Sequence, residues 1–200
     1  MLERIPQRER RDLLIAWAAI AVAFSLLYVR GTFNPGAFVL FFALSLLTVG
    51  VGFVFHELAH KFAAMHFGYW AEFRKDNTML IVAVILAALA GVVFAAPGAT
   101  VIYGSTTKRE NGIISAAGPV TNLVLCAVFY GLFLAGGIFG EYILLLIGLM
   151  GVQINAMIAT FNMLPVSVLD GKKVLAWNPA VFAVLFVASL VALIGALMFL

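Results

Sequence analysis

Residues 53–68 read FVFHELAHKFAAMHFG, which sets His56, Glu57, His60, Lys61 and His66 in an otherwise apolar run. The run reaches back to residue 36. It is therefore longer than the roughly 20 residues a membrane-spanning helix needs. Ionisable groups inside such a span are costly to bury and persist where they find partners or do chemistry. The stretch decides two things together: the chain crosses a membrane, and it carries a polar site inside it.

The composition agrees. Of 200 residues, 64% are hydrophobic and 10% charged, with a mean hydropathy of +1.13. A soluble domain carries about 25% charged residues. The expected fold class is an all-α polytopic membrane protein, a bundle of five to six transmembrane helices. A basic segment over 1–12 precedes a single integral-membrane domain over 13–200. The net charge of +3 comes from small Lys/Arg clusters. Such clusters set topology in membrane proteins, so no nucleic-acid partner is expected. The one cysteine, Cys126, rules out a disulfide within the chain. The N-terminus is basic and then apolar over span length, and is read as a retained first helix rather than a cleaved signal.

Apolar runs at 13–29, 36–66, 79–96, 113–138, 141–164 and 180–200 are candidate spans. With Arg4, Arg8, Arg10 and Arg11 in the cytoplasm, the second span returns Arg74 and Lys75 to that side. If 79–96 crosses fully, Lys108, Arg109, Lys172 and Lys173 fall outside; if it re-enters, all four fall inside. The positive-inside rule favours five full spans and one re-entrant segment. Six plain spans is the other arrangement the lengths allow. Beyond this run, Thr100, Val101, Ile102 and Tyr103 are β-formers flanked by Pro97-Gly98 and Gly104-Ser105. They predict a short strand or hairpin before the next span.

His56-Glu57-Leu58-Ala59-His60 is an HExxH pattern. On a helix, positions i and i+4 lie about 40° apart, so both imidazoles face one point. Two neutral imidazoles suit Zn²⁺. Glu57 is rotated about 100° from His56, beside a metal rather than on it, where a general base belongs. The third ligand has two candidates. His66 has a usable spacing, but Ala63 stands where a chain-turning glycine would be needed. On a continuing helix His66 lies about 240° around from His60, which suits a membrane-interface residue. Asp170, in FNMLPVSVLDGKK, follows an apolar helix ending at Pro165. Gly171 permits a sharp turn there, and Lys172-Lys173 mark the membrane boundary. Asp170 can fold back to the metal, or it can be a surface Asp-Gly turn. Asn155 and Asn162 are i, i+7 and share a helix face. Inside lipid such a stripe faces a bundle interior or a cavity, and Asn155 suits an interhelical hydrogen bond.

HELAH at 56–60, together with Asn162, Pro165, Asp170 and Gly171 in the spacing NxxPxxxxDG, resembles the site-2 protease family of intramembrane zinc metalloproteases. Gly118, Pro119 and Asn122 resemble the family's GPxxN, in the same order along the chain. The motifs and their helices cover roughly residues 45 to 175. The resemblance implies one zinc ion held by His56, His60 and Asp170, with Glu57 as general base. It implies that Asn162 holds the substrate carbonyl or oxyanion, and that Asn122 supports the site or contacts substrate backbone. One departure is the apolar run 79–96 between His60 and Gly118, longer than in many relatives, which leaves open what covers the site.

The function expected from motif and resemblance is a zinc-dependent intramembrane metalloendopeptidase that cuts membrane-protein substrates within or near a span, in regulated intramembrane proteolysis. A helical substrate hides its peptide bonds in internal hydrogen bonds and must unwind. Val101 and Ile102 are candidates to pair with the extended substrate by β-addition. The expected partners are a transmembrane protein substrate and the bilayer, and the sequence sets no oligomeric state. So compact a form suits a prokaryotic plasma membrane with a cytoplasmic N-terminus. The alternative is a non-proteolytic membrane metal-binding protein or metal transporter, its His and Asp lining an ion path. A third reading is a scaffold with the polar cluster as helix glue. Glu57 separates the first two, because a transporter site does not need a base beside the HxxxH pair.

Overall fold

The computed structural model describes residues 4–31, 33–91 and 98–198. In chain order the elements are α1 (Gln7–Tyr28), α2 (Pro35–Ser45), a π-helical turn (Leu46–Gly50), α3 (Val51–His66), β1 (Trp70–Lys75), α4 (Asn77–Ala90), β2 (Gly98–Tyr103), α5 (Lys108–Phe139), α6 (Tyr142–Asn162), α7 (Asp170–Trp177) and α8 (Pro179–Met198). Among the described residues, five helices are long and apolar enough to cross a membrane. The protein is an all-α polytopic membrane protein with one small sheet.

The HExxH stretch lies in the last part of a long helix. α2, the π turn and α3 run on as one 32-residue helix, Pro35–His66. Its start is fixed by Asn34, whose side chain accepts the Ala37 N–H at 3.0 Å, with Pro35 in the first turn. The π turn is held by Trp17, whose indole N–H donates to the Leu46 carbonyl at 2.9 Å. Gly50 lies against that indole with no room for a side chain. Single π turns of this kind recur next to functional sites.

α4 is the apolar run that sequence alone leaves between crossing and re-entering. It has 14 residues, a length of about 21 Å at 1.5 Å per residue, short of a full span. Asp76 caps its start, accepting from the Thr78 and Met79 N–H groups at 2.8 and 3.0 Å. At its far end the Arg30 guanidinium donates to the Ala90 and Leu89 carbonyls at 2.9 and 3.0 Å. Lys75, just before α4, is the strand partner of Gly98. α4 and the residues after it are thus inserted between two paired strands. Positions 92–97 lie outside the described residues, and so does the part of the 79–96 run that they hold, with the turn expected at Pro97. Residues 1–3 of the basic segment and 199–200 of the last run lie outside them too.

β2 pairs antiparallel with β1 in the register Trp70↔Tyr103 to Lys75↔Gly98. The strand expected at 100–103 is present within β2. Its partner comes from the segment directly after α3, with α4 inserted between. α1 begins at Gln7, inside the stretch read as a basic segment, and its Glu9 and Asp12 are buried. The main core joins Leu13, Ile20 and Phe24 of α1 to Phe53, Phe73, Met150 and Ile154. α5 and α6 approach closely where glycine stands: a side chain at Gly148 or Gly151 would enter Phe133 or Phe129. The start of α1, the sheet, the start of α5 and α7 meet at one end of the bundle. That end gathers the Lys/Arg clusters, and Arg30 stands at the other.

Candidate metal centre

Three residues of α5, Ile114, Gly118 and Asn122, stand at successive i, i+4 positions and so share one face. That face meets the two imidazoles of α3. The Ile114 carbonyl lies 2.8 Å from His60 Nδ1, and Asn122 Oδ1 lies 2.6 Å from His56 Nδ1. Between them, a Cβ on Gly118 would fall 2.5 Å from His60 Nε2 and 2.6 Å from His56 Nε2. Pro119 offers no N–H to the carbonyl four residues back, which loosens this turn of α5. The GPxxN sequence thus has a local meaning. Glycine leaves space for the rings, proline opens the helix beside them, and asparagine holds one ring from behind.

The hydrogen bonds fix which ring nitrogen faces the centre. A backbone carbonyl only accepts. The Gly151 carbonyl therefore takes an N–H from Asn155 Nδ2 at 2.8 Å, leaving Asn155 Oδ1 as an acceptor. Asn122 Nδ2 donates to that oxygen at 2.9 Å and to the Gly52 carbonyl at 3.1 Å. Asn122 Oδ1 must then accept the Nδ1–H of His56. The Nδ1–H of His60 is likewise committed to the Ile114 carbonyl. Both Nε2 atoms present lone pairs, 3.0 Å apart.

Asp170 completes the group from the opposite wall. The chain leaves α6, turns at Ser167, which takes the left-handed conformation at φ 52°, and enters α7 at Asp170. The turn expected at Gly171 is made at Ser167 instead. Gly171 lies within the helix, and glycine is needed there because a Cβ would collide with the Met163 carbonyl. Asp170 Oδ2 lies 3.1 Å from His60 Nε2 and 3.4 Å from His56 Nε2, and Oδ1 is 3.8 Å from Lys173 Nζ.

With both imidazoles neutral, three acceptor atoms therefore face one another at 3.0, 3.1 and 3.4 Å with no hydrogen between them. Only a positive charge placed among them relieves that arrangement. The edge of a tetrahedron with metal–ligand bonds of about 2.0–2.1 Å is about 3.3–3.4 Å, close to the spacing found. Each imidazole also has its other N–H committed to an oxygen, the usual support of a metal-ligating histidine. The donor set, two imidazoles and one carboxylate, all buried, fits a zinc-type ion with a fourth position left for other chemistry.

Glu57, Asn162, Thr100, Ile102 and Lys173 line one cavity of about 120 Å³ with these three residues. Asn162 donates one amide hydrogen to the Ile158 carbonyl at 3.0 Å and keeps a second. Asn122 lies behind His56, fully buried, and does not line the cavity. Of the two strand residues, Ile102 faces the cavity, while Val101 is 41% exposed on the other side of the pleat. His66 is exposed, its ring edge against Phe67, away from the group. Thr100, Lys173 and the part of Asn155 in fixing His56 are not evident from sequence. The signals present are the alternation Thr100/Ile102 in a strand and the i, i+3 spacing of Asp170 and Lys173.

The chain is 45% identical over 183 residues to a protein of Methanocaldococcus jannaschii named "Putative zinc metalloprotease", and the match covers 90% of each chain. No family model matches the sequence. No solved structure matches it.

Proposed function

Because the chain belongs to the site-2 protease family of zinc metalloproteases, we propose that it hydrolyses peptide bonds within or beside the transmembrane segments of membrane-protein substrates. The observation that carries this reading is the triangle of His56, His60 and Asp170 acceptor atoms with Glu57 on the same cavity wall. Its depth supports intramembrane action. His60 stands six residues before the end of a 32-residue helix, or about 9 Å along the axis.

His56, His60 and Asp170 would hold one zinc ion. When bound, zinc polarises a carbonyl and makes a neighbouring water acidic enough to attack near neutral pH. Glu57 takes the proton of the attacking water and passes it to the leaving amine. Asn162, with an amide hydrogen to spare, hydrogen-bonds the developing oxyanion. The substrate must present an unwound backbone, since a helix keeps its peptide groups bonded internally. Among the described residues β2 has β1 on one side only, so the Val101–Ile102 stretch offers its other edge to an extended chain. The cation-rich end, whose Lys173 lines the cavity, supports a cytoplasmic N-terminus by the positive-inside rule, in a prokaryotic plasma membrane.

The test is cleavage of a fluorescent single-span peptide by the purified protein in liposomes. We expect cleavage that a zinc chelator abolishes and added zinc restores. Absence of cleavage across a panel of single-span peptides, or cleavage indifferent to the chelator, would overturn the reading.

A further inference from the structure

The geometry points to Thr100 as the positioning residue that orients the general base; this rests on the role of Glu57 given above. Glu57 is buried, with 8% of its surface exposed. Among the described residues, the carboxylate has one hydrogen-bond partner, the Thr100 hydroxyl, at 2.9 Å from Oε2. The same hydroxyl lies 3.1 Å from the Glu57 backbone carbonyl. It carries a single hydrogen, and the ionised oxygen is the stronger acceptor. The terminal torsion of a glutamate has a broad preference, so an unheld carboxylate would sample many orientations. With Oε2 pinned, Oε1 is the oxygen left to exchange a proton.

The position of Thr100 is itself fixed by the helix that carries Glu57. Phe53, Glu57 and Lys61 stand at i, i+4 and i+8 on α3, a stripe beside the one that bears the histidines. Phe73 of β1 is the register partner of Thr100. Its ring packs edge-on against Phe53, with centroids 5.5 Å apart. Its N–H donates to Glu9 Oε1 at 3.0 Å. Glu9 Oε2 in turn lies 2.5 Å from Lys61 Nζ, with both side chains fully buried. The sheet is thus fastened to α3 one turn before Glu57 and one turn after it. A hydroxyl on the facing strand is then held over the carboxylate between those two fastenings.

The test compares Thr100→Val, which keeps the shape and loses the hydroxyl, with Thr100→Ser, which keeps the hydroxyl. In the peptide-cleavage assay we expect Thr100→Val to lower kcat about ten- to hundred-fold, the scale of losing base positioning. KM should stay within about twofold, because the residue acts through Glu57 and not on substrate affinity. Thr100→Ser should recover most of the rate, and zinc content should match wild type in both. Equal loss in both variants, a change confined to KM, or an unaffected Thr100→Val would overturn the inference. An infrared measurement reads the contact directly. The Glu57 carboxylate stretch, assigned by difference against Glu57→Gln, should shift in Thr100→Val and not in Thr100→Ser. An unshifted band counts against Thr100 whether or not the wild type cleaves. Failure of the wild type to cleave counts against the proposed function alone.

Discussion

Asn122 Oδ1 and His56 Nδ1 lie 2.6 Å apart, both buried, and this contact determines which nitrogen His56 turns towards His60 and Asp170. The asparagine cannot reverse, because its amide nitrogen is held by the Gly52 carbonyl and by Asn155. The orientation of a ring on α3 is thus set from α6 through α5.

That relation yields a prediction about metal affinity. Asn122→Leu keeps the volume and removes the acceptor. Zinc affinity should fall about 10- to 100-fold, the usual cost of losing such support. Competition against a calibrated chelator measures it. Unchanged affinity would mean that the ring is oriented by its helix alone.

Gly118 gives a second prediction. Gly118→Ala would set a methyl group 2.5 Å from His60 Nε2, so zinc binding should be lost while the helix persists. Gly131, on the same helix, has open space where a methyl group would stand, with nothing within 4 Å. Gly131→Ala should leave zinc content unchanged and stabilise by about 0.4–1 kcal/mol. Zinc stoichiometry and thermal unfolding in detergent check the pair.

The Glu9–Lys61 pair predicts a stability effect. Lys61→Met strands a buried carboxylate and should cost about 3–5 kcal/mol. Adding Glu9→Gln removes that charge while keeping an oxygen for the Phe73 N–H, and should recover much of the loss. Unfolding midpoints of the single and double variants decide it; additive losses would contradict a coupled pair.

The pairing of Lys75 with Gly98 on either side of α4 makes a topological prediction: both ends of the segment should lie on one side of the membrane. Cysteine introduced at Ser105 or Lys172, in a Cys126→Ala background, should be labelled from the same side as the N-terminus. Cysteine at Arg30 should be labelled from the opposite side. Labelling of Ser105 and Arg30 from one side would require α4 to cross.

Much of this is legible in the sequence, for identifiable reasons. HExxH on a span-length helix brings two rings to one point by helical spacing alone. Other features depend on partners far away in sequence. Trp70–Lys75 is a strand through its register with 98–103, which no local pattern marks. The Lys61 ammonium is buried against Glu9, 52 residues earlier, a pairing no local pattern marks. Gly171 reads as a turn residue, yet the pressure on it comes from the Met163 backbone. A threonine in a strand carries no mark of the carboxylate it faces. Local periodicity is written in sequence; the pairing of polar groups across elements is set by packing.

The most direct test of the zinc-and-base mechanism measures zinc content and peptide cleavage together in wild type and Glu57→Gln. We expect equal zinc in both proteins, cleavage by the wild type, and none by the variant. Cleavage by Glu57→Gln at the wild-type rate, or a wild type that holds no zinc, would contradict it.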